Sequence, residues 1–133
     1  MPRKIYLKKK LLAILISRKN LDQKDRINFF TDSKLPFQVA SMKHPNGHQI
    51  IPHKHNMFLR KIHLTSEVLF VLKGLIKVNF YKENKSIFKS INLKKGDLII
   101  FFGGIHGFEI KKNSHFIEIK QGPYIKNIDK KIL

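Results

Sequence analysis

Apolar positions in this chain come in short dense runs separated by turn residues, and such runs predict strands. Leu11 to Ile16 is an unbroken apolar run that predicts a buried strand. The polar stretch 17–26 follows, with at most one short helix over 21–27, and then "INFF" at 27–30, a loop carrying Pro36, and "FQVASMK" at 37–43. The pattern sharpens from residue 67. "EVLFVLKG" and "LIKVNFYK" are rich in β-branched and aromatic residues and meet at Lys73-Gly74, so both read as strands. "ENKS" turns into "IFKSINL", "KKGD" turns into "LIIFF", "GGIHG" interrupts, and "FEIKKNSHFIEIK" supplies two more strands around Asn113. No segment sustains a helical apolar face. Strands at this spacing predict an all-β sandwich or barrel.

A chain of 133 residues closes one core and leaves no room for a separate catalytic module. The basic segment ahead of Leu11 imitates a secretion signal. Its apolar run is too short to span a bilayer and lacks a small-residue cleavage site, so a strand is the better reading and no membrane partner is expected. With no cysteine, disulfides, thiolate metal sites and cysteine nucleophiles are excluded together, and a reducing compartment, the cytoplasm, is the expected location. The net charge of +18 raises the question of nucleic acid. Only four of the 27 basic residues are arginines, the side chain that reads bases and phosphates bidentately, and the lysines are spread along the whole chain. General basicity with a preference for small anionic ligands, and no specific nucleic-acid partner, is the expectation.

Candidate chemistry gathers around histidines and one glutamate. His53 and His55 are two apart in "GHQIIPHKHN"; on a strand both would project to one face, a geometry suited to chelation. Glu67 opens the strongest strand on the same alternation as Leu69 and Val71, which points it inward, where a carboxylate needs a partner or a cation. His106 follows the Gly103-Gly104 pair, where the backbone approaches closely enough for the ring to reach an interior.

These residues carry a resemblance to the cupins, the small double-stranded β-helix family. The first cupin motif is a Gly, five residues, His-x-His, a gap, Glu, six residues and Gly; here these are Gly47, His53, His55, Glu67 and Gly74. The second motif runs from Gly through five residues to a Pro-x-Gly turn and a His, and Gly96, "DLIIF", Phe102, Gly103, Gly104 and His106 follow it with Phe in place of Pro. Eleven residues separate His55 from Glu67, where the family usually has three or four, which lets His63 compete for the third ligand position.

The resemblance spans about residues 38 to 120 and implies a jelly-roll-like barrel over 38–133, with residues 1–37 as an N-terminal strand and extension packed on it. It also implies one divalent metal (Fe, Mn, Ni or Zn) held by His53, His55, Glu67 and His106, an N/O donor set that ligand type alone does not assign further. The tail "EIKQGPY" is similar to that of small cupins related to surface-polysaccharide gene clusters.

Around such a centre, Glu118 and Lys120 share a strand face with Phe116, and either line the cavity as candidate catalytic groups or lie outside. Tyr124 caps the mouth as a donor or merely packs. Arg60 is a candidate for holding a carboxylate or phosphate. Gln38, Glu109 and His115 are weaker candidates, and His44 and His48 are expected in loops. The implied function is a Lewis-acid step on a small polar or anionic molecule such as a sugar derivative, isomerase-like, with a non-catalytic ligand-binding or sensing protein and an Fe(II) dioxygenase as alternatives. A homodimer is implied by the same resemblance.

Overall fold

The computed structural model describes residues 1–133 and is all-β, with 46% of residues in strands and 3% in helix. In chain order the elements are β1 (Arg3–Leu7), β2 (Lys10–Ile16), α1 (Arg18–Leu21), β3 (Ile27–Phe29), β4 (Ala40–Met42), β5 (Glu67–Tyr81), β6 (Ile87–Lys94), β7 (Leu98–Phe101) and β8 (Ile105–Lys120). Every pairing is antiparallel. The main sheet runs β1-β2-β7-β5-β6, with β8 also on β5, while β3 and β4 form a separate ribbon.

β5 organises the molecule. Its first residues, Glu67 to Phe70, pair with β7, and its last, Leu75 to Tyr81, pair with β6. β8 follows it along nearly its whole length on the other edge, with register shifts between Val71 and Ile76. The sheet folds over at that point. Leu69 and Val71 from one half of β5 therefore share a core with Ile76, Val78 and Phe80 from the other, together with Ala13, Ile91, Leu93, Ile99 and Phe101.

The bend has an identifiable cause. Gly74 sits at φ +98°, and a Cβ there would run into the hydroxyl of Ser114 and the carbonyl oxygen of Asn113 on β8. The "KKGD" turn patches the interrupted ladder: Gly96 N–H donates to Val71 O at 2.8 Å, and Val71 N–H donates to Asp97 O at 3.0 Å. The buried Asp97 carboxylate accepts from Lys94 N–H at 3.0 Å and from Arg18 N–H at 3.2 Å, which ties the turn to α1.

The apolar runs are continuous where strands are covered on both faces. Ala13 and Leu15 of β2 face the first core, and Ile14 and Ile16 face a second, which Val68, Ile100 and Phe102 complete beneath Phe30. Leu21, Leu35, Phe37 and Val39 lie over that second core. The N-terminal strands are thus hydrogen-bonded into the main sheet beside β7. They contribute Ile5, Leu12 and Ala13 to its core. The helix lies at 18–21, earlier than its expected place. The two segments expected on either side of Lys73-Gly74 are one strand, as are those around Asn113.

A polar ladder crosses the opposite face of β6, β5 and β8. Ser90 Oγ donates to Asn79 Oδ1 at 2.6 Å, and the Asn79 amide donates to Glu109 Oε1 at 2.6 Å. Asn79 is 2% exposed, so both bonds satisfy a buried amide. The hydrogen bond from Lys111, then that from Asn79, pull the Glu109 carboxyl down to about 2. Glu109 is therefore a structural anion on the face away from the cavity described below.

Two outcomes are expected. Gly74→Ala combines positive-φ strain with a backbone collision, a cost on the order of 2 kcal/mol or more, and lowers the thermal midpoint by several degrees in calorimetry. Because the Glu109 carboxyl is depressed in the folded state, its stabilisation is present above its unfolded value near 4.5 and is lost as pH falls from there toward about 2. The Tm gap between wild type and Glu109→Gln, followed from pH 7 to pH 2, should be widest at the neutral end and close in that acid window.

Candidate functional site

The fold in β5 brings two sheet regions against each other, and the candidate site lies at their seam. Opposite residues in an antiparallel pair point to one face. Glu67 stands opposite Phe101 on β7 and Lys120 on β8, and Leu69 stands opposite Ile99 and Glu118. The core-facing alternation of β5 thus carries Glu67, Glu118 and Lys120 to one surface. His106, in the first half of β8, pairs with Phe80 beyond the fold and comes back over the same surface.

Glu67 and His106 meet there. His106 Nε2 lies 3.1 Å from Glu67 Oε1, and Nδ1 lies 3.3 Å from the carbonyl oxygen of Gly104. Both ring nitrogens therefore face oxygen atoms, a carboxylate on one side and a backbone carbonyl on the other. The ring stacks on Phe101, centroids 4.2 Å apart and 16° from parallel, and Phe108 leans on it at 5.6 Å. Gly103 and Gly104, at φ +150° and +84°, make the turn that delivers it. Glu67 Oε2 has no protein partner and stays available to a ligand.

These groups line a cavity of about 800 Å³. Its rim includes His63 and Leu64, which precede β5, and its far wall is the C-terminal segment 123–132. Lys120 lies within it, donating to Asp129 Oδ2 at 2.9 Å and paired with Glu118 Oε1 at 3.3 Å. The hydrogen bond to Asp129, then the one to Glu118, hold its ammonium above the ordinary lysine value despite partial burial. Where β8 ends and β5 begins, Gln121 Oε1 accepts from Ser66 N–H at 2.9 Å, fixing Lys120 beside Glu67.

Other expected residues lie elsewhere. His53 and His55 are in an exposed, irregular segment that runs from residue 43 to residue 66 without a strand. Their rings touch edge to face at 5.5 Å, and His53 Nδ1 bonds the carbonyl of Ile51 at 2.9 Å. Pro45 and Pro52 remove backbone donors here, and the apolar residues come in blocks, Ile50-Ile51 and Met57 to Leu59, without the alternation a half-buried strand requires. Neither histidine lines the cavity, and no three His, Asp or Glu side chains are grouped to hold an ion. As the chain is arranged, the four donors implied by the resemblance do not form one metal centre: Glu67 and His106 meet, His63 shares their cavity, and the other two are apart.

Arg60 is exposed, with its guanidinium 3.6 Å over the Phe58 ring. Tyr124 is exposed with Lys120 Nζ 5.2 Å from its ring, and packs beside the cavity without lining it. His44 and His48 lie in a loop on either side of the turn at 46–47, and stack at 4.4 Å with their Nδ1 atoms each 3.2 Å from Arg26 Nη2. Desolvation, then His48 and Arg26, lower the His44 value. Sequence reasoning missed Asp129; its one signal is that it stands as a lone acid among the lysines of "IKNIDKK".

Comparison with known proteins identifies no relative: no protein-family model, curated protein or solved structure matches the chain.

Proposed function

We propose that the protein is a cupin-type small-ligand protein that binds a polar anionic molecule, of the sugar-derivative kind, in the cavity at the seam of the sheet. The observation that carries this reading is the convergence of Glu67, from the start of β5, with His106, Glu118 and Lys120, from the two ends of β8, on one cavity. Cations at the cavity, Lys120 with Lys130 and Lys131, supply the attraction for an anionic group. The overall charge of +18 raises the local concentration of such ligands.

The chemistry this arrangement supports best is proton transfer of the isomerase type. Glu67 offers a free carboxylate oxygen to the ligand, and its other oxygen is held by His106. Lys120, directly across the strand pair, is placed to stabilise negative charge developing on an oxygen of the ligand. The fit of the donors described above supports no step through a metal. No helix is long and apolar enough to cross a membrane.

The same reading includes a homodimer. β8 is sixteen residues long and pairs only with β5, and Phe108, Ile110, Ile117 and Ile119 along it are exposed. An apolar edge of that length is a template for another strand, and a second copy covers it with a closed two-fold contact.

Four measurements test these readings. In thermal-shift titrations with sugar phosphates, sugar acids and small dicarboxylates, wild type is expected to be stabilised by at least one member. Lys120→Met should lose that response, and a panel with no stabilising member overturns the ligand reading. For the active compound, Glu67→Gln should bind with little change while slowing exchange of the ligand's carbon-bound proton with deuterium by ~100-fold or more, seen by NMR. Divalent-ion binding followed calorimetrically should be the same in His53→Ala as in wild type; loss of one and the same site in both His53→Ala and His106→Ala would show that residues 47–56 reach Glu67 and His106 in solution. Sedimentation showing only the 15.7 kDa species would reject the dimer.

A further inference from the structure

The far wall of the cavity is not part of the sheet. Residues 123–132 carry no strand, and their backbone hydrogen bonds are local: Ile128 N–H and Asp129 N–H both donate to Ile125 O, at 3.2 and 3.0 Å. Their apolar side chains do not anchor them well, since Ile128 and Ile132 are 76% and 84% exposed. One side-chain hydrogen bond ties this strap to the sheet, from Lys120 Nζ to Asp129 Oδ2 at 2.9 Å. The tie is well shielded, with the Asp129 side chain 11% exposed and that of Lys120 25% exposed.

Lys120 is a fixed cation in the cavity, reached by two carboxylates of different standing. Glu118 is two residues away on the same strand and cannot leave. Asp129 comes from the loosely held strap and can. With both present the Lys120 ammonium is already matched by two carboxylates, which leaves it a poor partner for an incoming anion; with Asp129 withdrawn, an ammonium N–H is open to the cavity. A carboxylate or phosphate has the same acceptor oxygens and charge sign as the Asp129 side chain, and makes the same charge-assisted bond.

We propose that Asp129 occupies the anion subsite of this cavity as an internal stand-in for the carboxylate or phosphate group of the ligand, so that ligand and strap compete for Lys120 and binding releases residues 123–132 from the cavity wall. The inference rests on the ligand site proposed above and adds who holds that site when it is empty. It makes the strap both a guard against weakly bound anions, which this highly basic surface attracts, and the element that moves on binding. A strap closed nine-tenths of the time reduces apparent affinity about tenfold, so removing the competing carboxylate restores about that factor.

The test uses inorganic phosphate and malonate as probes on the full chain, at constant ionic strength set with sodium chloride. Calorimetry gives affinity, and hydrogen exchange of the peptide covering 123–133 gives the state of the strap. Wild type should bind a probe weakly and exchange faster in the strap when it is bound. Asp129→Asn should exchange fast without any probe and bind on the order of tenfold more tightly. Lys120→Met should show an open strap and no probe-dependent change.

Equal affinity in wild type and Asp129→Asn, with binding still dependent on Lys120, overturns the competition and leaves the ligand site standing. Binding that survives in Lys120→Met belongs to surface lysines and overturns both, as does failure of every variant to bind either probe. A circular-dichroism melt of each variant separates these results from loss of the fold.

Discussion

The structure depends on one strand changing partners halfway along. β5 hands over from β7 to β6 between Val71 and Leu75, and each half brings its own apolar alternation. Without the turn at Gly74, Leu69 and Val71 would extend a flat sheet away from Ile76, Val78 and Phe80, and the shared core of these residues would not exist. A fold in the sheet leaves backbone groups unpaired at the corner, which is a cost unless something fills them. The turn between β6 and β7 does so through Gly96 and Asp97, and Asp97 then fastens α1 to the same corner. The corner is therefore where the local turn chemistry of "KKGD" and the long-range topology of β5 and β8 must agree.

The site is a by-product of that corner. Glu67 belongs to the sheet region paired with β7, and His106 to the region beyond the fold, opposite Phe80. They reach 3.1 Å because the sheet folds over at β5, and the Phe101 ring stacks on the imidazole plane. A pair assembled from two regions across a bend reports on the bend, so changes at Gly74 or Asp97 act on the site without touching it. Lys120 is placed by the end of β8, where Gln121 clamps it to the start of β5.

The strands from residue 67 onward were legible because alternation and β-branched content agree with turn residues at every boundary. Counting in twos puts Glu67 with Leu69 and Val71, and Glu118 and Lys120 with Phe116, but does not say that the two sets meet on one surface. What alternation cannot show is that the two strands around Lys73-Gly74, and the two around Asn113, each run through as one strand. A glycine at positive φ interrupts a pattern in the same way whether the chain turns back or bends and continues. β1 was hidden because "RKIYL" carries too few apolar residues to announce a strand, and only its pairing with β2 reveals it. The histidine pair was legible as a spacing but not as a place: His-x-His describes one face only if the segment is a strand, and Pro52 with the clustered apolar residues around it leaves the backbone of 43–66 without a ladder. Asp129 was invisible because a lone carboxylate in a lysine-rich tail acquires meaning only from the residue it reaches.

Charge explains why that carboxylate matters. The chain has nine acidic residues against 27 basic ones, and three of the nine, Glu67, Glu118 and Asp129, line one cavity. Spread over the surface, those acids would have done little, since an exposed ion pair contributes at most about 1 kcal/mol and is screened by salt. Gathered at the seam they balance Lys120, Lys130 and Lys131 and the two histidines nearby, so the cavity is locally far closer to neutral than the molecule around it. The surface field draws anions in without discrimination, and discrimination has to come from inside, where Lys120 already has two carboxylates within reach. An anion gains entry to Lys120 only by making better contacts than the chain's own side chains do, and that requirement selects by shape and by the spacing of charged groups rather than by charge alone.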